Sequence, residues 1–298
     1  MRKRIIIDLG TANTKFSDKS SGAEFVAPSV VAIDNKTKKI IAAGVDAKEM
    51  SGRAPLDVSV IFPIKAGAVS DFDVACAMMR VFLSDFLPKS TFRIGAELLV
   101  SRHLTDMEIR ILKEAAEHSG VKVINIINST LNDATPTGQM ILDIGAGKTE
   151  CTVLSFGGIV SSSCVFFGGD EMDKNICDYL KSAYGITVGK NTAEQIKLNT
   201  ASAHPSTDTK TYTFMGRTCD TGLPVETTVT SDEIRCAIAP TLLKILNVIE
   251  TVLENTPPEL SRDLKENGII LSGGGANLPG LSQFIEENIG LISVVSGA

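Results

Sequence analysis

Two stretches of the chain repeat one arrangement of apolar and polar positions. Residues 5–14 read as a buried strand, an aspartate, an apolar residue, a glycine turn and a threonine, and residues 140–149 repeat this order. A second apolar run follows each turn, so we predict two β-hairpins with glycine loops at their tips. Asp8 and Asp143 lie 143 − 8 = 135 residues apart, about half the chain. A repeat at that distance predicts two related halves.

Apolar residues at helical spacing predict four helices between and after the hairpins. They are residues 71–87, 105–119, 170–184 and a long segment that starts near Ser231. Two of them open with a capping box, Thr105 with Glu108 and Thr230 with Glu233. Pro240 lies inside the last helix, and we expect it to bend there.

The order of these elements predicts an α/β chain with two domains, which suits a length of 298 residues. Each domain would have a mixed-sheet core flanked by helices and one small insertion. The first would cover residues 1–139, with its core in 1–28 and 64–139 and its insertion in 29–63. The second would cover residues 140–298, with its core in 140–190 and 230–298 and its insertion in 191–229.

Composition narrows the functional classes. The formal net charge is −6 and tryptophan is absent, which argues against a nucleic-acid partner. Hydrophobic residues make up 43% of the chain, enough for real cores. The six cysteines are scattered, and we interpret them as small buried residues in a reducing cytoplasm.

A third glycine motif follows an apolar run late in the chain, with Gly273, Gly274 and Gly275 in succession. A single glycine turn after a strand is usually no more than a turn. Three such glycine motifs follow one another along the chain, and two of them are copies of one pattern. This arrangement favours loops whose backbone N–H groups bind a polyphosphate. Asp8 and Asp143 would then orient water molecules on Mg²⁺. The sequence contains neither GxxxxGK[ST] nor a GxGxxG fingerprint.

These motifs resemble those of the actin, sugar-kinase and chaperone ATPase superfamily, and within it the MreB-like bacterial actins. The similar segments are collinear over nearly the whole chain: residues 7–14, 27–33, 143–150, 168–173, 192–197 and 272–275.

The resemblance implies an actin-like two-domain fold with ATP and Mg²⁺ in the cleft between the domains. The phosphates would be bound by Gly10, Thr11, Ala12, Asn13, Gly145, Ala146, Gly147 and Lys148. The nucleoside would lie beside Glu194, Lys197, Gly273, Gly274 and Gly275, and Asp8 and Asp143 would reach Mg²⁺ through water.

The resemblance also implies a role. The protein would be cytoplasmic and peripheral at the inner face of the cell membrane. It would form filaments of its own chain there and act with the cell-wall synthesis machinery in cell shape. In relatives a hydrophobic loop inserts into lipid at the place flanked here by Phe86, Leu87 and Phe92. A packed loop is the alternative.

Some positions depart from the family pattern. The family has a glutamate that positions the attacking water, whereas residues 126–136 hold Asn128 and Asp133 instead. We therefore expect weak or absent ATP hydrolysis and leave the catalytic residue unknown. Ala146 replaces a glycine, Lys148 replaces a threonine-like residue, and the chain ends at Ala298, so it is either a degenerate relative or incomplete.

Two other functions remain open from the sequence. One is a pseudo-actin that modulates the filaments of an intact paralogue. The other is a small-molecule kinase of the same superfamily, which would need a base for its acceptor.

Overall fold

The computed structural model describes residues 3–87, 94–128, 137–205 and 210–296. The chain divides into two compact units, Met1–Leu131 and Asn132–Ala298. The domain boundaries expected from the sequence stay a prediction.

The first unit is built on a five-stranded sheet. The strands of the unit are β1 (Lys3–Leu9), β2 (Asn13–Asp18), β3 (Glu24–Pro28), β4 (Val31–Asp34), β5 (Ile40–Ala43), β6 (Val58–Ile61), β7 (Ile64–Lys65), β8 (Ala68–Val69), β9 (Ile94–Val100) and β10 (Lys122–Asn128). The large sheet has the order β10-β9-β1-β2-β3. The hairpin predicted at residues 5–14 is therefore confirmed, since β1 pairs antiparallel with β2.

Helices α1 (Val45–Met50), α2 (Phe72–Phe86) and α3 (Asp106–His118) complete the first unit. Ile5 and Ile7 of β1 and Phe16 of β2 are fully buried against apolar residues of α2 and α3. The strands β5, β4 and β6 form a separate three-stranded sheet with its own small core.

Phe86 and Leu87 belong to the core of the first unit. The ring of Phe86 lies 5.9 Å from that of Phe16 and 6.1 Å from that of Phe25, and Leu87 is buried. These two residues therefore pack within the unit, whereas the loop that follows them lies outside the described residues, and its contact with lipid stays a prediction. Phe92 lies outside the described residues.

The second unit repeats the architecture of the first. Its strands are β11 (Gln139–Ile144), β12 (Thr149–Ser155), β13 (Gly158–Val165), β14 (Ile186–Thr187), β15 (Thr211–Thr218), β16 (Pro224–Thr230), β17 (Ile269–Ser272) and β18 (Ser293–Val295). The large sheet has the order β13-β12-β11-β17-β18. In each unit a hairpin continues into a third antiparallel strand, and two parallel strands lie on its other side. The predicted duplication is confirmed.

In the described part of the second unit, five helices accompany the sheets: α4 (Gly169–Tyr184), α5 (Lys190–Thr200), α6 (Ser231–Glu254), α7 (Ser261–Asn267) and α8 (Leu281–Ile289). Short 3₁₀ turns lie at Pro258–Leu260 and Gly274–Asn277. Strands β14, β15 and β16 form a smaller sheet. Both capping boxes are confirmed, at Thr105 of α3 and at Thr230 of α6.

Helix α6 continues through Pro240 for 24 residues. Among the described helices it alone has the length and mean hydropathy of a membrane span. Its apolar stripe, which includes Ile234, Ile238, Ile245 and Ile249, is fully buried in the core of the second unit. We therefore assign α6 as a core helix.

The cysteines divide by position. Cys76 and Cys151 are buried as expected, but Cys219 and Cys236 are exposed. The expectation of burial is wrong for those two because Cys219 lies in the turn after β15 and Cys236 lies on a solvent-facing position of α6.

A pH-dependent contribution to stability is expected from Glu233, which accepts hydrogen bonds from the Tyr184 hydroxyl and from the Thr230 N–H. The hydrogen bond from Tyr184, followed by that from Thr230, lowers the pKa of Glu233 below 4.5. The stabilisation is present above pH 4.5 and is lost as pH falls through the lower folded pKa. Glu233→Gln should lower the free energy of unfolding at pH 7 by about 1 kcal/mol, and the difference should shrink in acid.

Urea unfolding across that pH range measures this effect. Glu250→Gln is the matched control, because Glu250 is exposed on the same helix. A loss for Glu233→Gln that is equal at all pH values would contradict the prediction.

Candidate functional site

The tip of the first hairpin is held by Ser29, which follows β3. Its hydroxyl donates a hydrogen bond of 2.7 Å to the Gly10 carbonyl, and its N–H donates one of 2.9 Å to the Ala12 carbonyl. The Thr11 hydroxyl accepts a hydrogen bond from the Gly67 N–H at 3.1 Å. These contacts satisfy the carbonyls of Gly10 and Ala12 and the hydroxyl of Thr11, and so fix the conformation of the loop.

The tip of the second hairpin is held by the first turn of α4. The Gly169 N–H donates to the Gly145 carbonyl at 3.0 Å, and the Asp170 N–H donates to the Ala146 carbonyl at 2.9 Å. Within the loop, the Gly145 N–H donates to the Lys148 carbonyl at 2.9 Å. The loop carbonyls are thus bound from the side of the helix.

A buried threonine anchors each loop at the start of its second strand. Thr14 and Thr149 lie 149 − 14 = 135 residues apart and are fully buried. The hydroxyl of Thr14 bonds that of Ser29 at 2.9 Å, and the hydroxyl of Thr149 donates to the Phe167 carbonyl at 2.9 Å. Each threonine therefore ties its loop to the segment after the third strand.

The tips of both loops present backbone donors. Within the described part of the chain, the N–H groups of Ala12, Ala146 and Gly147 donate no backbone hydrogen bond. All three residues are at least partly exposed. Unpaired N–H groups in a fixed turn are the donor set that a phosphate group requires.

Close contact between α4 and the loop requires glycine at position 168. A Cβ added there would lie 2.2 Å from the Gly145 carbonyl oxygen, well inside van der Waals contact. The sequence motif 168–173 contained this residue, but its spacing alone gave no indication of the contact.

The triple-glycine turn lies against the end of β11. Gly273 has a φ of +81°, and a Cβ there would lie 2.4 Å from the Ile144 carbonyl oxygen and 2.5 Å from Asp143 Oδ1. A Cβ at Gly275 would lie 2.3 Å from the Ile144 side chain, whereas nothing lies within 4 Å at Gly274. The third motif is thus brought beside Asp143 and the second loop.

Lys197 binds two groups of the second unit, one on a side chain and one on the backbone. Its Nζ lies 2.6 Å from Oδ1 of the buried Asp173 and donates to the Gly169 carbonyl at 2.9 Å. Burial raises the pKa of Asp173, and the Lys197 charge opposes that rise. Glu194 lies one turn earlier on α5 and is partly exposed.

The departures from the family pattern have different surroundings. Nζ of Lys148 lies 3.4 Å from the buried carboxylate of Glu150. Asn128 ends β10 and is partly exposed, whereas Asp133 lies outside the described residues. In the register of the strands, Asp8 lies opposite Lys15 in the first hairpin, and Asp143 lies opposite Glu150 in the second.

The profile of the MreB/Mbl protein family matches residues 2–297. The chain belongs to the MreB/Mbl family. The resemblance inferred from the motifs is therefore confirmed.

Two MreB/Mbl relatives show how far the likeness extends. The cell shape-determining protein Mbl of Bacillus subtilis is 37% identical over 292 residues, which cover 95% of this chain and 88% of the relative. The cell shape-determining protein MreB of Escherichia coli is 36% identical over 304 residues, which cover 97% of this chain and 88% of the relative.

Solved structures confirm the actin-like fold. MreB5 of Spiroplasma citri bound to AMPPNP matches with a TM-score of 0.94 and 30% identity, over 99% of this chain and 92% of the other. The MamK double helical filament matches with a TM-score of 0.82 over 99% of this chain and 94% of the other. Its identity of 21% supports the fold alone.

We expect Gly168→Ala to destabilise the second unit by about 1–3 kcal/mol, because the new methyl group would force α4 away from the Gly145 carbonyl. Gly189→Ala is the matched control, since nothing lies within 4 Å of a Cβ there and its φ is −79°. Denaturant unfolding compares the two variants. Equal stability of Gly168→Ala and Gly189→Ala would contradict the close contact.

Proposed function

We propose that this chain is an ATP-binding bacterial actin that forms filaments and takes part in determining cell shape. The observation that carries the proposal is the pair of duplicated loops, each tied down by a buried threonine. Within the described residues, each loop also presents backbone N–H groups that donate no backbone hydrogen bond. The relatives are named as cell shape-determining proteins, and similar MreB5 structures are bound to ADP or AMPPNP.

The loops suit the phosphates of ATP. The donors are the backbone N–H groups of Ala12, Ala146 and Gly147. Such neutral N–H groups can bind a polyphosphate without a positively charged side chain in the loop. In this proposal the remaining loop residues Gly10, Thr11, Asn13, Gly145 and Lys148 shape the same two turns. Mg²⁺ would neutralise the phosphates and retain water molecules, which Asp8 and Asp143 would accept as hydrogen-bond donors.

The nucleoside side is proposed at Glu194 and the triple-glycine turn. Gly274 has open space where its Cβ would be, so a flat ring system can approach its backbone. At Gly273 the space for a Cβ is filled by Ile144 and Asp143, and at Gly275 it is filled by Ile144. In this proposal these two glycines hold the turn in place.

The cellular setting is also proposed. Filaments of this chain would lie in the cytoplasm against the inner face of the membrane and act with the cell-wall synthesis machinery, as the family resemblance implies. Weak or absent ATP hydrolysis stays a prediction, because most of the segment expected to hold the catalytic group lies outside the described residues.

Asp8→Ala and Asp143→Ala should each weaken binding of ATP about tenfold or more in the presence of Mg²⁺, because each removes a group that orients metal-bound water. In EDTA the same variants should differ little from the wild type. Isothermal calorimetry measures both conditions.

Asp85→Ala is the control for this experiment, since Asp85 is exposed on α2. Equal ATP affinity of the wild type and both variants, with Mg²⁺ present, would remove these aspartates from the site.

Self-association should depend on the nucleotide. Wild-type protein should sediment as polymer with ATP and Mg²⁺ and remain soluble without them, because a repeated contact that does not close extends into a filament. Asp143→Ala should sediment less at the same nucleotide concentration. Protein that stays monomeric at high concentration with ATP and Mg²⁺ would contradict filament formation and favour a modulator of another protein's filaments.

A further inference from the structure

A buried ion pair lies behind the second loop. Asp173 on α4 is 3% exposed, and its Oδ1 lies 2.6 Å from Nζ of Lys197 on α5. The Lys197 side chain is itself 14% exposed. Burying two charges costs free energy that two apolar side chains of similar volume would not cost.

The ammonium group of Lys197 also acts on the backbone next to the loop. It donates a hydrogen bond of 2.9 Å to the Gly169 carbonyl. The N–H of Gly169 donates to the Gly145 carbonyl, and the N–H of Asp170 donates to the Ala146 carbonyl. One residue of backbone therefore separates the Lys197 charge from the loop.

Gly169 lies close to both groups. A Cβ added there would lie 3.4 Å from Nζ of Lys197 and 3.7 Å from Cα of Ala146. Because the Gly169 carbonyl accepts from Lys197 and its N–H donates to the Gly145 carbonyl, this one residue connects the ammonium group to the loop.

We propose that Asp173 is a positioning residue for the second loop. Its carboxylate holds the Lys197 ammonium against the Gly169 carbonyl, and this contact fixes the N–H groups of Ala146 and Gly147 where a nucleotide's phosphates bind. The inference rests on the proposed nucleotide binding and deepens it. It gives Lys197 a task behind the loop that the family resemblance did not indicate.

The test compares a ligand with phosphates and one without. Asp173→Asn keeps the shape of the side chain and removes its charge. We expect it to weaken binding of ATP with Mg²⁺ about tenfold, the effect of one hydrogen bond to a charged group. Binding of adenosine should change less than about twofold, because the loop supports only the phosphates. Calorimetry with each ligand measures both affinities.

A double variant separates positioning from fold stability. Asp173→Leu combined with Lys197→Met removes both charges. The thermal stability of this double variant should equal or exceed that of the wild type. Its ATP affinity should stay weak, because no donor remains for the Gly169 carbonyl. Recovery of ATP affinity together with stability would overturn the proposal, since the pair would then serve the fold alone.

A matched surface pair serves as the control. Lys190 lies on α5 3.0 Å from Asp170, and its side chain is 53% exposed. Lys190→Met should leave the affinities for ATP and adenosine unchanged. If Lys197→Met instead weakened adenosine and ATP equally while Asp173→Asn had no effect, Lys197 would contact the nucleoside and the proposal would be wrong. Failure of the wild type to bind ATP would overturn the proposed function, and the inference with it.

Discussion

The hydrogen bonds from the first turn of α4 to the carbonyls of Gly145 and Ala146 are the contacts on which the second loop depends. They bind these two acceptors from the side of the helix, and the N–H groups of Ala146 and Gly147 remain for another ligand. A phosphate would otherwise meet carbonyl oxygens, which repel it. Met172 and Ile176 pack α4 into the core, and glycine at position 168 allows the start of the helix to approach the loop this closely.

The two units reach the same result by different means. In the first unit the Ser29 side chain and N–H satisfy the loop carbonyls, whereas in the second unit backbone N–H groups of a helix do so. The threonine that anchors each loop is at the equivalent position, 135 residues apart. The duplicated hairpin has therefore kept its anchor, while the support of its tip has diverged.

The hairpins, the helices and the capping boxes were predictable because local pattern decides them. The supports of the loops were not, since they join residues from separate elements, such as Ser29 with Gly10 and Gly168 with Gly145. Lys197 shows the same limit: its motif indicated a place near the nucleoside, but the buried partner that engages it is visible only after folding. Phe86 reads as a loop-flanking residue, yet the rings of Phe16 and Phe25 pack against it.

The central claim is that the fixed loops bind a nucleotide's phosphates through backbone N–H groups. Electron cryomicroscopy of the protein assembled with AMPPNP and Mg²⁺ tests it most directly. The account predicts phosphate density within hydrogen-bonding distance, about 3 Å, of the N–H groups of Ala146 and Gly147. Nucleotide density whose phosphates lie away from these groups, or ordered assembly with no nucleotide bound, would contradict it.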